Sequence, residues 1–413
     1  MTAARVRILT LGCKVNQCDS DEIARALAAR GYEIAGRGEP AQTYIVNTCT
    51  VTAVADGKAH KLIRRLAREH PEATLIVTGC LAQRDPFSLL DLPDVTAVVP
   101  NKRKPRLADF LPHLIAPLFP TLYAPSRTRS FLKIQDGCDH RCAYCVVPDA
   151  RGRPASRPIG ETLDEIGRLA DAGVQELVLC GIRLGAYGRE HGEPRLALLL
   201  HELQSIPVPR LRLSSIEPMD LDSGLLDEMA DHPTLCHHLH LPLQSGDDEV
   251  LKAMGRSYTT GDFADLVRRV REAWPDAAIS TDAMAGFPGE TEEQFERTMS
   301  FVRETAFSRV HVFPYSRRPG TPAAERSDQV PVPVKRERTR RMLGLADELA
   351  AAAAAAWVGH RVPVLFEQRG SDGVLVGHTP HYLRLHAPGP AEWVNRIIEL
   401  RAERAEGGEL YPR

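Results

Sequence analysis

Apolar positions in the first hundred residues fall in short runs separated by longer stretches with helical spacing. Val6 to Leu11 reads as a strand. Asp19 is placed to cap a helix running to about Arg30, where Gly31 ends it. Thr43 to Val46 is a second strand, followed by a helix to about Glu69; Leu75–Val77 and Val95–Val99 are a third and a fourth. Short β-rich runs alternating with helices predict a parallel, doubly wound sheet. Such sheets bind ligands at the carboxyl ends of their strands. LTLGC, YIVNTC and LIVTGC put Cys13, Cys49 and Cys80 at three such ends. One thiol there could be a small buried apolar residue; three at equivalent ends predict convergence on one edge.

Residues 102–130, with KRKPR, several prolines and RTR, read as a linker. Strand-like runs then recur at Phe131–Ile134, Glu176–Cys180, Arg210–Ser214, His237–Leu241, Ala278–Asp282 and Arg309–Phe313, with helical segments between them. These βα units are too few to close an eightfold barrel of about 250 residues, so an open partial barrel of (βα)6 type is expected. KRERTRR, from Lys335 to Arg341, begins a long helix that enters an alanine tract. After Gly359 the pattern changes to the short strands Val362–Phe366, Gly373–Val376, Tyr382–Leu385 and one near Asn395–Leu400, which predict a small β-barrel. The expected class is α/β, with domains at 1–118, 128–356 and 359–413.

Composition narrows the partners. The chain has 413 residues, 43% hydrophobic and 26% charged, with a formal net charge of -2. This is ordinary globular protein, and any RNA contact must come from local basic patches. The opening MTAARVRILTLGC lacks a secretory h-region, and the run Leu349–Val358 is too short and too weakly apolar for a span of roughly 20 residues. A cytoplasmic protein with no membrane segment is expected. Nine cysteines in a reducing compartment indicate metal binding or catalysis, not a disulfide framework.

The densest chemistry is Cys138-Asp-His-Arg-Cys142-Ala-Tyr-Cys145, a CxxxCxxC run after the strand FLKI. Three thiolates this close can hold one face of a metal cluster, and no nearby cysteine completes a set of four. An iron without a protein thiolate leaves room for a cofactor or substrate. The competing reading is a zinc site with His140 as fourth ligand. The spacing, with Tyr144 between the last two cysteines, resembles the radical S-adenosylmethionine (SAM) superfamily. That resemblance implies a [4Fe–4S] cluster on Cys138, Cys142 and Cys145, with SAM bound at the open iron and cleaved to a 5′-deoxyadenosyl radical.

The strings TLGCKVNQ, NTCTVT, GCLAQ, QDGCDHRCAYCVVPDARG, LSSIEP, LPLQSG, TDAMAGFPGET and HVFPYSRRPGTPA, in this order, resemble the methylthiotransferase family. The tail with GHTPHY looks like that family's RNA-binding TRAM domain. LGCKVNQ and HVFPYSRRPGT look most like the subgroup acting on threonylcarbamoyladenosine beside the tRNA anticodon. Relatives acting on isopentenyladenosine or on a ribosomal-protein aspartate are the alternatives, and a non-catalytic zinc- and RNA-binding protein is the rival from another class. The resemblance implies a second [4Fe–4S] cluster, on Cys13, Cys49 and Cys80, that delivers sulfur. It also implies two uses of SAM, to methylate sulfur and to supply a radical that takes hydrogen from carbon 2 of adenine. The implied partners are tRNA, a flavodoxin-like or ferredoxin-like electron donor and a sulfur donor.

Further candidates lie at strand ends, where a βα barrel places its active site. They are Ser215 and Gln244 as contacts to SAM or substrate, and Asp282 and Gly286 in the DAMAGFPGE turn, which the resemblance places near the SAM adenine. Gly181 stands where the superfamily often carries Gly-Gly-Glu; here the segment is Cys180-Gly-Ile. Cys18, Cys180 and Cys236 are read as non-ligands. His237, His238 and His240 alternate along a strand and are read as packing or substrate contacts. Arg151, Arg153 and Arg157, just after the cysteine loop, are candidates for RNA phosphates or a cofactor carboxylate. His378 and Tyr382 are candidates for RNA stacking and hydrogen bonding.

Overall fold

The computed structural model describes residues 4–111 and 128–412. They form two compact units: 4–111 with Asp136–Pro154 and Ser316–Ala324, and 128–135 with Ala155–Tyr315 and 325–412.

The first unit is built on an all-parallel sheet. Its strands lie in the order Glu33–Ile34, Arg5–Thr10, Thr43–Thr48, Thr74–Gly79, Val95–Pro100. The two central strands are buried on both faces, as parallel strands between helix layers must be. Alternation divides them: Tyr44, Val46, Leu75 and Val77 meet Ala59, Ile63 and Leu66 of the helix Ala53–Glu69. Ile45 and Ile76 meet Ile23 and Leu27 of the helix Lys14–Ala29 on the other face. Burying a side chain such as Ile63 is worth about 1.5–3 kcal/mol, which fixes these helices on the sheet. The Thr52 hydroxyl caps the first of them by accepting from the Ala55 N–H at 3.1 Å. The strand order reverses between Arg5–Thr10 and Thr43–Thr48, and that is where such sheets hold ligands.

Two expectations for this unit are corrected. Asp19 is no helix cap: the helix begins at Lys14 with Cys13 at its N-cap, and Asp19 lies inside it, 1% exposed. Its carboxylate faces Lys104 and Arg151, a reason for burial that short-range spacing does not reveal. The start of the expected linker is ordered: Asn101–Phe110 is a 3-10 run that buries Leu107 and the Lys104 ammonium. Residues 112–127 of that linker lie outside the described residues.

The second unit contains six parallel strands in sequence order. Arg129–Lys133, Glu176–Cys180 and Leu211–Leu213 form one sheet; His238–His240, Ala278–Ala285 and Arg309–Pro314 form another. A parallel bridge between Leu211 and Leu235 joins the two into one open βα layer, the expected partial barrel. The helix Val332–Ala355 contributes Met342 and Leu345 to its core. The C-terminal residues form a curled six-stranded sheet in the order Ile397–Arg401, Arg361–Arg369, Val374–His378, Arg384–Pro388, Glu409–Tyr411, Arg404–Glu406. Val364, Phe366, Leu375 and Leu385 fill its own core.

Candidate metal centres

Both cysteine trios belong to the first unit. Cys13 follows Arg5–Thr10, Cys49 follows Thr43–Thr48, and Cys80 opens the short helix Cys80–Arg84 after Thr74–Gly79. Two glycines make the approach possible. Gly12 has φ +111°, and a Cβ there would lie 2.7 Å from Cys49 Cβ; Gly79 has φ +101°, and a Cβ there would lie 2.3 Å from the Thr48 carbonyl oxygen. Only glycine tolerates both constraints.

Asn16 stands at the centre of this edge and is fully buried. Its Nδ2 donates to the carbonyls of Leu11 at 2.7 Å and Thr48 at 3.0 Å, pinning the chain just before Cys13 and Cys49. Its Oδ1 lies 3.9 Å from the sulfurs of both Cys13 and Cys80. Asn101 Nδ2 lies 3.7 Å from the Cys80 sulfur and donates to the Ala150 carbonyl at 2.8 Å. Burial raises the pKa of Cys13, and burial pushes Cys49 up to about 11, with Cys80 and Cys13 adding to the rise. Cys49 and Cys80 are buried, while Cys13 lies at the exposed side of the edge; a metal group that binds thiolates supplies the positive charge that offsets the raised pKa of Cys49.

The second trio sits on a tight loop. Gly137, φ +72°, packs so close to the Arg153 carbonyl that a Cβ would fall 2.1 Å from its oxygen. Backbone donors point at the loop's sulfurs: His140 N–H lies 3.4 Å from Cys138 Sγ and Val147 N–H 3.4 Å from Cys145 Sγ. Such bonds tune an iron–sulfur cluster through its thiolates. Three sulfurs on one loop suit three irons of a polynuclear cluster, with the fourth iron left open.

Arg151, six residues after Cys145, turns back toward the first trio. Its side chain is 3% exposed. Nη1 donates to both oxygens of Asp136 at 2.9 and 3.0 Å; Nη2 donates to Asn16 Oδ1 at 2.5 Å and Asp19 Oδ2 at 3.0 Å. Burial opposes its charge, but Cys80, Asp19, Asp136 and Cys13 together push its pKa further up, so it remains a cation. The expectation that Arg151 meets RNA phosphate is corrected: a guanidinium enclosed by two carboxylates and an amide has no face left for a ligand outside. Arg318, in the SRRPGTP segment, donates to Thr50 Oγ1 at 2.7 Å and Asp56 Oδ2 at 2.6 Å, bracing the turn after Cys49. Sequence reasoning missed the parts played by Asn16, Asn101, Arg151 and Arg318.

The remaining candidates lie in the second unit, except Arg153. Gly181 donates its N–H to Ser214 Oγ at 3.2 Å and packs on the Gln135 side chain. Ser215 is half-buried just beyond Leu211–Leu213. Gln244 holds φ +69° while its N–H donates to the Asp282 carbonyl and its own carbonyl accepts from Met284, each at 2.8 Å. A non-glycine residue held in that region stores strain, as functional positions often do. Asp282 Oδ1 lies 3.3 Å from His240 Nε2. Gly286, φ +74°, packs against the Lys335 stem and donates to Glu290 Oε2 at 2.8 Å. Arg153 is exposed and Arg157 half-buried. His378 is paired with Glu367 and stacks on Tyr382 at 5.1 Å. Tyr382 in turn lies under the Arg212 guanidinium at 4.6 Å and accepts from Arg129 Nη1 at 3.3 Å. Cys18, Cys180 and Cys236 are buried, and burial pushes the Cys236 thiol up to about 12, an inert group.

Residues 132–302 match the family model of the Radical SAM superfamily, and residues 5–100 match one described as Uncharacterized protein family UPF0004. The threonylcarbamoyladenosine tRNA methylthiotransferase MtaB of Bacillus subtilis is 36% identical, with 97% of this chain and 94% of the relative covered. The chain belongs to the radical SAM methylthiotransferases. The tRNA-2-methylthio-N(6)-dimethylallyladenosine synthase of the same organism, another methylthiotransferase, is 33% identical over 98% of this chain and 84% of its own. Among solved structures, the radical SAM methyltransferase TsrM of Kitasatospora setae, with cobalamin and a [4Fe–4S] cluster bound, shares the fold. Its TM-score is 0.56 at 19% identity, covering 78% of this chain and 77% of that one. Among the described residues no helix is long and apolar enough to cross a membrane.

Proposed function

We propose that this enzyme adds a methylthio group to carbon 2 of N6-threonylcarbamoyladenosine beside the anticodon of tRNA. The observation that carries the reading is two cysteine trios in one compact unit, on a chain matched nearly end to end by a relative named for that reaction. Cys138, Cys142 and Cys145 hold one [4Fe–4S] cluster, and Cys13, Cys49 and Cys80 hold the other. When bound, the clusters and SAM supply the electron, the radical and the sulfur needed to replace an unactivated C–H bond. The chain's own residues bind, orient and shield. Three thiolates per trio leave a coordination position for SAM or sulfur. Gly12 and Gly79 bring backbone close to the sulfur-delivering trio, Asn16 pins the chain before Cys13 and Cys49, and Arg151 holds positive charge beside the thiolates. Gly181, Ser215, Gln244 and Gly286, beside strand ends, and Asp282, within the strand Ala278–Ala285, which runs past the expected end, position SAM and the nucleoside. Arg153 and Arg157 contact RNA phosphates, and the C-terminal sheet grips the tRNA; His378 and Tyr382, engaged with Glu367, Arg129 and Arg212, brace that sheet instead of stacking on bases. An electron donor of flavodoxin or ferredoxin type and a sulfur donor complete the cycle in the cytoplasm.

The test is nucleoside mass spectrometry of tRNA from cells lacking the gene, with and without its return. The reading expects the methylthio form of threonylcarbamoyladenosine to vanish and to recover. Loss of methylthio-isopentenyladenosine instead would assign the substrate of the 33%-identical relative.

A further inference from the structure

His237, Asp276 and His381 meet in the second unit, which contains none of the six motif cysteines. His237 precedes the strand His238–His240, and Asp276 lies in the turn before Ala278–Ala285. His381 comes from the turn between Val374–His378 and Arg384–Pro388 of the C-terminal sheet. One oxygen of Asp276 lies 2.7 Å from His237 Nδ1 and 3.5 Å from His381 Nε2, and one ligand atom from each residue falls within 4.8 Å of the others. Bonds of about 2.0–2.1 Å to a tetrahedral zinc ion set ligand atoms roughly 3.3 Å apart, a spacing bracketed by the two measured distances.

A plain His–Asp hydrogen bond accounts for His237 but not for His381. The His381 imidazole is 7% exposed and is packed on the Trp357 ring at 3.9 Å; its Nδ1 has no hydrogen-bond partner, and its Nε2 has only the long 3.5 Å approach to Asp276. A buried donor left unpaired costs about 1–3 kcal/mol. The ring stands at 87° to that of His237, its Nε2 turned toward the shared carboxylate oxygen. Two imidazoles and a carboxylate suit a first-row divalent ion, zinc foremost, with Asp276 leaving a solvent-facing position for water.

We propose that His237, Asp276 and His381 form a structural site for a divalent transition-metal ion. His237 and Asp276 lie at the amino ends of His238–His240 and Ala278–Ala285, opposite the carboxyl end that leads to Gln244, so the site's role is to join layers and not to perform chemistry. It ties the C-terminal sheet to the βα layer through side chains far apart in sequence.

The test uses the full chain with its clusters loaded anaerobically, so that the motif thiols are occupied. Wild type, Asp276→Asn, His237→Ala and His381→Phe are dialysed against buffered zinc, and zinc and iron are counted by mass spectrometry. The zinc environment is read by X-ray absorption. Asp276→Asn changes an exposed side chain, and His381→Phe keeps the stack on Trp357, so folded variants are available. The proposal expects about one zinc per wild-type chain with nitrogen and oxygen ligands only, its loss in each variant, and unchanged iron. Zinc that persists in all three variants, zinc bound through sulfur, or no zinc in wild type would overturn it.

Discussion

Replacing Arg151 with Met is the perturbation that reports most on how the surroundings of the first trio set its charge. The guanidinium reaches Asn16 Oδ1 at 2.5 Å, and that oxygen lies 3.9 Å from the sulfurs of Cys13 and Cys80. These two legs cap the separation of charge and thiolate at about 6.4 Å, and with an effective dielectric constant of about 20 the interaction is on the order of 2.6 kcal/mol. On a one-electron couple that corresponds to about 110 mV. Removing the cation makes reduction harder, so the midpoint potential of the cluster on Cys13, Cys49 and Cys80 should fall by on the order of 100 mV. Arg151→Lys, which keeps a charge, should move it far less. The assay is an anaerobic redox titration followed by electron paramagnetic resonance, on protein whose iron content and circular dichroism match wild type. A shift below about 20 mV in such a protein would refute the electrostatic role, because the geometry would then be screened far beyond what burial permits.

Three further outcomes follow from the same structure. Cys142→Ala should lose about half of the bound iron and all turnover, whereas Cys18→Ala, a buried helix residue outside both trios, should keep both; iron and sulfide assays decide. Gly79→Ala combines φ +101° with a Cβ 2.3 Å from the Thr48 carbonyl oxygen, and should cost about 1–3 kcal/mol and lower iron loading on the first trio; equal loading would contradict the close approach. Glu176 is fully buried and meets Arg212 at 2.9 Å, Arg210 at 3.8 Å and Arg129 at 3.9 Å, so Glu176→Gln should destabilise the second unit by about 3–5 kcal/mol in chemical denaturation, with iron binding to the folded protein retained.

Much of the frame was legible because it rests on local patterns. Buried parallel strands are nearly continuous apolar runs, so Thr43–Thr48 and Thr74–Gly79 stood out, and with them the placement of Cys49 and Cys80. The two-residue strand Glu33–Ile34 and the last two strands of the C-terminal sheet were too short to leave a period. What the sequence hid is direction over long range. Arg151 follows the cysteine loop with two other arginines, yet its partners Asn16 and Asp19 are 135 and 132 residues away, and nothing local says that it turns inward. Asp19 was misread as a cap for the same reason. Arg318 reaches Asp56 across 262 residues. His237 was legible as a strand-edge histidine, but the companions that give it a metal-binding reading come from other elements.

The most direct test of the account is turnover on tRNA lacking the methylthio group, with purified cluster-loaded enzyme, SAM and a reductant. Nucleosides and SAM products are measured together for wild type and for Cys49→Ala. The account predicts methylthio-threonylcarbamoyladenosine from wild type, and from Cys49→Ala only 5′-deoxyadenosine with no methylthio product, since the sulfur-delivering trio is broken and the SAM-cleaving trio is intact. Methylthio product from Cys49→Ala at the wild-type rate would contradict it.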